Sequence, residues 1–250
     1  MIRASPMEER SAALAAGDAP SSAFKQVTFA STSGCAEFVA NPFKADKCRE
    51  CQASLIAHHR CAVATEKEVL AAVEWLSKAP SVVLDAVAED PARGPLLLGG
   101  FKAAMDGKLM QKQGVSHIVN AAAGLDRMWP QFAQAEQRNE QAGITILRMP
   151  WLDAEDQRVE LGSLRDAARF IDRGLRGGGG VFVHCAQGRS RSTMAVLAYL
   201  CSRTDERPLS VDDALALVQE RRIMAQPNAS FMRQLKEFEA LGQLSTLLSV

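Results

Sequence analysis

From Val82 onward, apolar residues alternate between short continuous runs and runs spaced three and four apart, the patterns of buried strands and amphipathic helices. Val82–Val87, Leu96–Leu98, Val115–Asn120, Ile144–Met149 and Val181–Val183 read as strands. Phe101–Gln113, Pro130–Gln141, a segment from Leu161 to Gly177, Thr193–Leu200, Val211–Arg222 and a segment opened by Pro227 and Asn228 read as helices. Gly114, Gly143 and the run Gly177–Gly180 stand where three of these helices should stop. Leu161, Leu164, Ala168, Ile171 and Leu175 share one helical face, as do Phe231, Leu235 and Phe238. The alternation predicts an α/β domain whose central, mostly parallel sheet is flanked by helices.

Upstream the pattern changes. Residues 1–30 are rich in Ala, Ser and Gly with little periodicity, and are expected to form a disordered tail. Residues 31–62 carry Cys35, then Cys48 and Cys51 in a Cys-x-x-Cys turn, then His58. Two thiolates from one tight turn can share a tetrahedral ion, and Cys35 and His58 would complete a closed, structural Cys3His zinc site. A segment this short buries too little apolar surface to order itself, so metal would supply folding energy. His59 and Cys61 are alternative ligands, and unconnected thiols are the plainer alternative. Residues 63–80 predict a connecting helix: Thr65 and Glu68 form a capping box, and Val69, Val73 and Leu76 fall on one face. Residues 81–250 form the main domain.

Charge narrows the partners. Lys+Arg and Asp+Glu both number 29, so no global field draws the chain to nucleic acid or membrane. No apolar run approaches the ~18–20 residues of a membrane span. The first ten residues lack a secretory apolar core, and Met-Ile is not a myristoylation start. A cytoplasmic location is expected, with the nucleus possible, and the six Cys are not read as a disulfide framework.

The chemistry concentrates at Val181-Phe-Val-His-Cys-Ala-Gln-Gly-Arg-Ser-Arg-Ser-Thr193. A strand, a tight loop and a helix N-terminus make an anion trap of convergent N–H groups and helix dipole. A thiol placed there, Cys185, is favoured as thiolate. Arg191 offers a planar fork for two phosphate oxygens. Ser192 can donate to the sulfur, and His184 braces the loop rather than acting as a base. A thiolate beside a phosphate cradle suggests attack on phosphorus and a cysteinyl-phosphate intermediate. Expelling an alkoxide then needs an acid over the loop. Asp153, Glu155 and Asp156, in a polar segment leaving a strand, are the candidates. By contrast Cys201 reads as a core thiol. Arg221 and Arg222 could lend positive potential near the site, though an exposed arginine pair usually has no specific task.

His-Cys-x5-Arg-Ser resembles the signature of the cysteine-dependent protein phosphatases, and Gly-x-Ser-Arg-Ser their dual-specificity branch. The resemblance runs from about Pro95 to about Leu241. It implies that Asp153, 32 residues before Cys185, is the general acid. It also implies that Ala186, Gln187, Gly188, Arg189, Ser190 and Arg191 bind the phosphate, and that catalysis needs no cofactor. No Lys-Asn-Arg-Tyr run resembling the substrate-tyrosine loop of the tyrosine-specific branch is present, which implies a phosphorylated protein substrate bearing phosphotyrosine, phosphoserine or phosphothreonine. A phosphoinositide phosphatase and a catalytically silent phosphate-binding adaptor are the alternatives. The Cys35–His58 segment resembles, at Cys35, Phe38, Asn41, Phe43, Cys48, Cys51 and His58, a small Cys/His module found beside actin- and myosin-associated domains, as in myosin phosphatase Rho-interacting protein. It is a candidate docking point for a protein partner.

Overall fold

The computed structural model describes residues 78–85, 93–122, 124–203 and 208–248, together with the backbone of four short upstream strands. The chain divides into two units, Met1–Glu74 and Trp75–Val250. In the first, Ala30–Ser31 pairs antiparallel with His59–Arg60, and Ala40–Asn41 with Lys44–Cys48. Cys35, Cys51, His58 and the helix expected from Thr65 lie outside the described residues.

In the second unit, five strands form one sheet: β1 (Ser81–Leu84), β2 (Leu96–Gly100), β3 (Val115–Asn120), β4 (Thr145–Arg148) and β5 (Gly180–Cys185). Their order is β1-β2-β5-β3-β4. β2, β5, β3 and β4 run parallel, and β1 joins the edge antiparallel to β2. All residues of β2 and β5 are buried. That is why both read as unbroken apolar runs: interior parallel strands are covered on both faces. The outermost strand β4 has no buried residue and keeps polar Thr145 and Arg148.

The helices are α1 (Phe101–Ala104), α2 (Gly107–Lys112), α3 (Leu125–Met128), α4 (Pro130–Gln141), α5 (Leu161–Arg176), α6 (Arg191–Leu200), α7 (Val211–Arg221) and α8 (Ala229–Ala240). α1, α2 and α4 pack together, and α6 packs with α5, α7 and α8. Every residue of α6 after Arg191 is buried, including Ser192, Thr193 and Tyr199. A helix apolar on all sides belongs in the middle of a core.

Two expectations change. The helix expected over Phe101–Gln113 is two helices, because Asp106 leaves helical geometry and its side chain accepts from Leu109 N at 3.0 Å, capping α2. The strand expected over Val82–Val87 ends at Leu84, with Asp85 exposed beyond it.

Candidate active site

β5 carries His184 and Cys185 to the C-terminal edge of the parallel strands, the edge where open α/β sheets gather ligand groups. Cys185 lies opposite Gly100, the last residue of β2. The chain then turns through Ala186–Ser190 into α6, which opens on Arg191. Gly188 holds φ of +69° there, and a Cβ would fall 2.2 Å from the Gly99 carbonyl carbon. Only glycine fits both the left-handed backbone and the space.

The carbonyls of this loop all turn into the protein. Ala186 O accepts from Phe101 N at 3.3 Å, Gln187 O from Arg222 Nη2 at 2.9 Å and Gly188 O from Arg222 Nε at 2.7 Å. Arg189 O accepts from Thr193 Oγ1 at 2.7 Å and from Gln226 N at 2.8 Å. The amide N–H groups of Ala186, Gln187, Gly188 and Ser190 make no hydrogen bond among the described residues. Carbonyls tied into the protein and amides left unbonded make a nest for an anion, reinforced by the start of α6.

Arg222, read in the sequence as one of an exposed pair, is fully buried. Its guanidinium also reaches Ala79 O and Ser81 Oγ, at 3.4 and 3.3 Å. Burial pulls its pKa down to about 10, opposed by the nearby Cys185 sulfur. A signal was available: Arg222 continues the series Val211, Ala214, Val218, the buried face of α7.

Cys185 is 2% exposed. Burial would raise its pKa, yet the Arg191 charge, the Ser192 hydroxyl donating to Sγ at 3.3 Å and the Ser192 backbone bring it below the usual thiol value. The same groups favour the thiolate form of the sulfur. Cys201, by contrast, is pushed up to about 12 by burial, with the Glu239 carboxylate adding to the rise. His184 is fully buried between Phe182 and Phe132, and burial lowers its pKa to about 4. It is a neutral imidazole whose Nδ1–H donates to Cys185 O at 3.3 Å, a brace rather than a base.

The segment after β4 brings Asp153 to the loop. Asp153 Oδ1 accepts from Ser190 Oγ at 2.7 Å and from Asn228 Nδ2 at 3.0 Å, while Oδ2 lies 3.6 Å from Arg191 Nε. Arg191 Nη1 donates to Trp151 O at 3.4 Å. The other two candidates are placed differently. Glu155 accepts from Ser230 N at 3.1 Å, in the first turn of α8, and Asp156 is exposed with no hydrogen bond among the described residues. Asn228, read only as a helix start, both caps α8 through Phe231 N and holds Asp153. The Arg189 guanidinium, an extra cation in the motif, donates to Gln226 Oε1.

The arrangement can present a nucleophilic sulfur to a phosphate whose oxygens meet loop amides and Arg191, with a carboxyl group at the rim. No group of three metal-ligating side chains occurs among the described residues.

Residues 96–240 match the family model described as dual specificity phosphatase, catalytic domain. The chain is 36% identical over 152 residues to mouse serine/threonine/tyrosine-interacting protein, covering 58% of this chain and 62% of that one. It is 33% identical over 150 residues to dual specificity protein phosphatase 1 of Arabidopsis thaliana, covering 60% and 68%. Alignment thus spans roughly two thirds or less of these relatives' lengths. Among solved structures, human tyrosine phosphatase-like serine/threonine/tyrosine-interacting protein superposes with a TM-score of 0.53 at 30% identity, over 66% of this chain and 98% of that one. The Yvh1 phosphatase domain from Chaetomium thermophilum gives 0.51 at 32%, over 67% and 99%. With its Cys185–Arg191 loop and a match across more than half its length, the chain belongs to the dual specificity phosphatase catalytic domain family.

Proposed function

We propose that this protein is a phosphatase that removes phosphate from phosphotyrosine and from phosphoserine or phosphothreonine on protein substrates. The observation that carries the reading is the Cys185 thiol, drawn toward its thiolate by Arg191 and Ser192 at the mouth of an amide-lined loop. Cys185 Sγ attacks phosphorus as the bond to the leaving oxygen breaks, and the Asp153 carboxyl gives that oxygen its proton. Loop amides and Arg191 hold the equatorial oxygens as charge develops. Water then attacks the phosphocysteine and loses its proton to the Asp153 carboxylate. The sulfur leaves as thiolate, received by the Ser192 hydroxyl. Arg191 and the amides supply the positive charge, so this route needs no metal.

Turnover of a small aryl phosphate and a peptide phosphorylated on both Thr and Tyr, in chelator, tests this with wild type and Cys185→Ser. Both peptide phosphates should be lost with wild type and neither with the variant. The Arg189–Gln226 bond argues against a lipid headgroup reading, because it engages the one extra loop cation. The name of the mouse relative, serine/threonine/tyrosine-interacting protein, favours the adaptor as the second reading. A folded wild type that binds phosphate without turnover would establish it.

Cys35, Cys48, Cys51 and His58 are proposed to hold one structural zinc ion. Support comes from the backbone pairing of the first unit: Ser31 lies opposite His59, and Cys48 ends a strand paired with Ala40. Those pairings bring the chain ahead of Cys35 beside the residue after His58. Elemental analysis should find one zinc per chain, lost on Cys48→Ser with Cys51→Ser. Metal-free wild type would refute it.

A further inference from the structure

A second binding feature lies outside the catalytic loop. α1, α2 and α4 enclose a groove of about 650 Å³. Lys102 from α1, Lys108 from α2 and Arg138 from α4 line it, with Met105, Ala135 and Ile144 supplying apolar surface. All three cations are exposed, and none enters an ion pair among the described residues. The acid in the lining, Asp106, is committed to capping α2 through Leu109 N at 3.0 Å. The walls are tied together, since buried Asn139 of α4 donates to Ala104 O of α1 at 2.9 Å.

Three cations against the single carboxylate of Asp106 leave the groove net positive, which concentrates anions there. We propose that this groove docks an acidic segment of a protein partner, its carboxylates meeting Lys102, Lys108 and Arg138 and an apolar side chain resting on Met105 and Ile144. The apolar surface suits a peptide over a free anion. Three cations in one groove, on a chain of zero net charge, fall short of the phosphate track that nucleic acid needs. No residue of the groove belongs to the catalytic loop or to the Asp153 segment, so the proposal stands apart from the catalytic reading.

The test is fluorescence anisotropy of the full chain with a labelled peptide in which Asp and Glu alternate with Leu. A Lys-rich peptide and a single-stranded oligonucleotide serve as controls. The acidic peptide should bind, and binding should weaken severalfold with added salt. The combined Lys102→Glu, Lys108→Glu and Arg138→Glu variant should lose at least about tenfold in affinity. Lys108→Ala should show a smaller loss, and Lys236→Glu on α8 should match wild type. All three groove cations are exposed, so aryl phosphate turnover should persist in each variant and report an intact fold. No binding by wild type, equal binding by the reversed variant, or tighter binding of the oligonucleotide would overturn the proposal.

Discussion

Two loops meet at this site, and they are built differently. The loop after β5 is enclosed: Cys185, Gly188 and Ser190 are buried, and its carbonyls are tied to α1, α6, Arg222 and Gln226. The segment after β4 is open: Leu152, Asp153, Glu155 and Asp156 are exposed, and Asp153 is placed by Ser190, Asn228 and Arg191. The Cys185 loop is therefore part of the core, where a change should cost stability and activity together. The Asp153 segment borrows its position from the other loop, and on the proposed mechanism a change there should cost activity alone.

The sharpest break in that contrast comes from Gly188→Ala. A Cβ at φ +69° and 2.2 Å from Gly99 backbone should destabilise the fold by about 3 kcal/mol or more and abolish turnover, read by denaturant unfolding beside an activity assay. Arg222→Met comes next. It strands the buried carbonyls of Gln187 and Gly188, for a loss of about 3 kcal/mol in stability and at least about tenfold in kcat/KM.

Asp153→Asn keeps the shape of the side chain while removing the proton that the proposed mechanism has it deliver. It should lower kcat about 100-fold with an unfolding midpoint near wild type. A large stability loss in this variant would erase the distinction between the two loops.

The smallest effect concerns His184. Its folded pKa, lowered by burial to about 4, lies below the ordinary 6.5, so acid protonates the unfolded chain first. This group's contribution is absent above the ordinary value, and stability falls as pH drops from about 6.5 to about 4. His184→Asn should flatten that part of the stability profile. Cys185 has the same sense, at higher pH. Its lowered pKa adds stability at pH above the ordinary thiol value, lost as pH falls through the lowered one.

Much of this was legible beforehand, and the reasons are local. Val115–Asn120 and Pro130–Gln141 appear with the bounds that periodicity predicts, because a buried strand and a Pro-opened helix write their patterns in adjacent residues. The spacing of Cys185 and Arg191 marks the strand–loop–helix that the structure contains. What escaped is non-local. Arg222 finds its acceptors 34 and 35 residues away, and nothing near it names Gly188 or Gln187 as partners. Asn228 meets Asp153 across 75 residues. The break at Asp106 was local but hidden, since one capping aspartate inside an apolar-periodic run does not disturb the period.

The central claim is that Cys185 carries the phosphoryl group, and acid-quench mass spectrometry during turnover tests it most directly. With Asp153→Asn and a small aryl phosphate, the peptide containing Cys185 should gain one phosphate on sulfur, absent from Cys185→Ser. Product released with no phosphate on Cys185, or turnover by Cys185→Ser at the wild-type rate, would contradict the account.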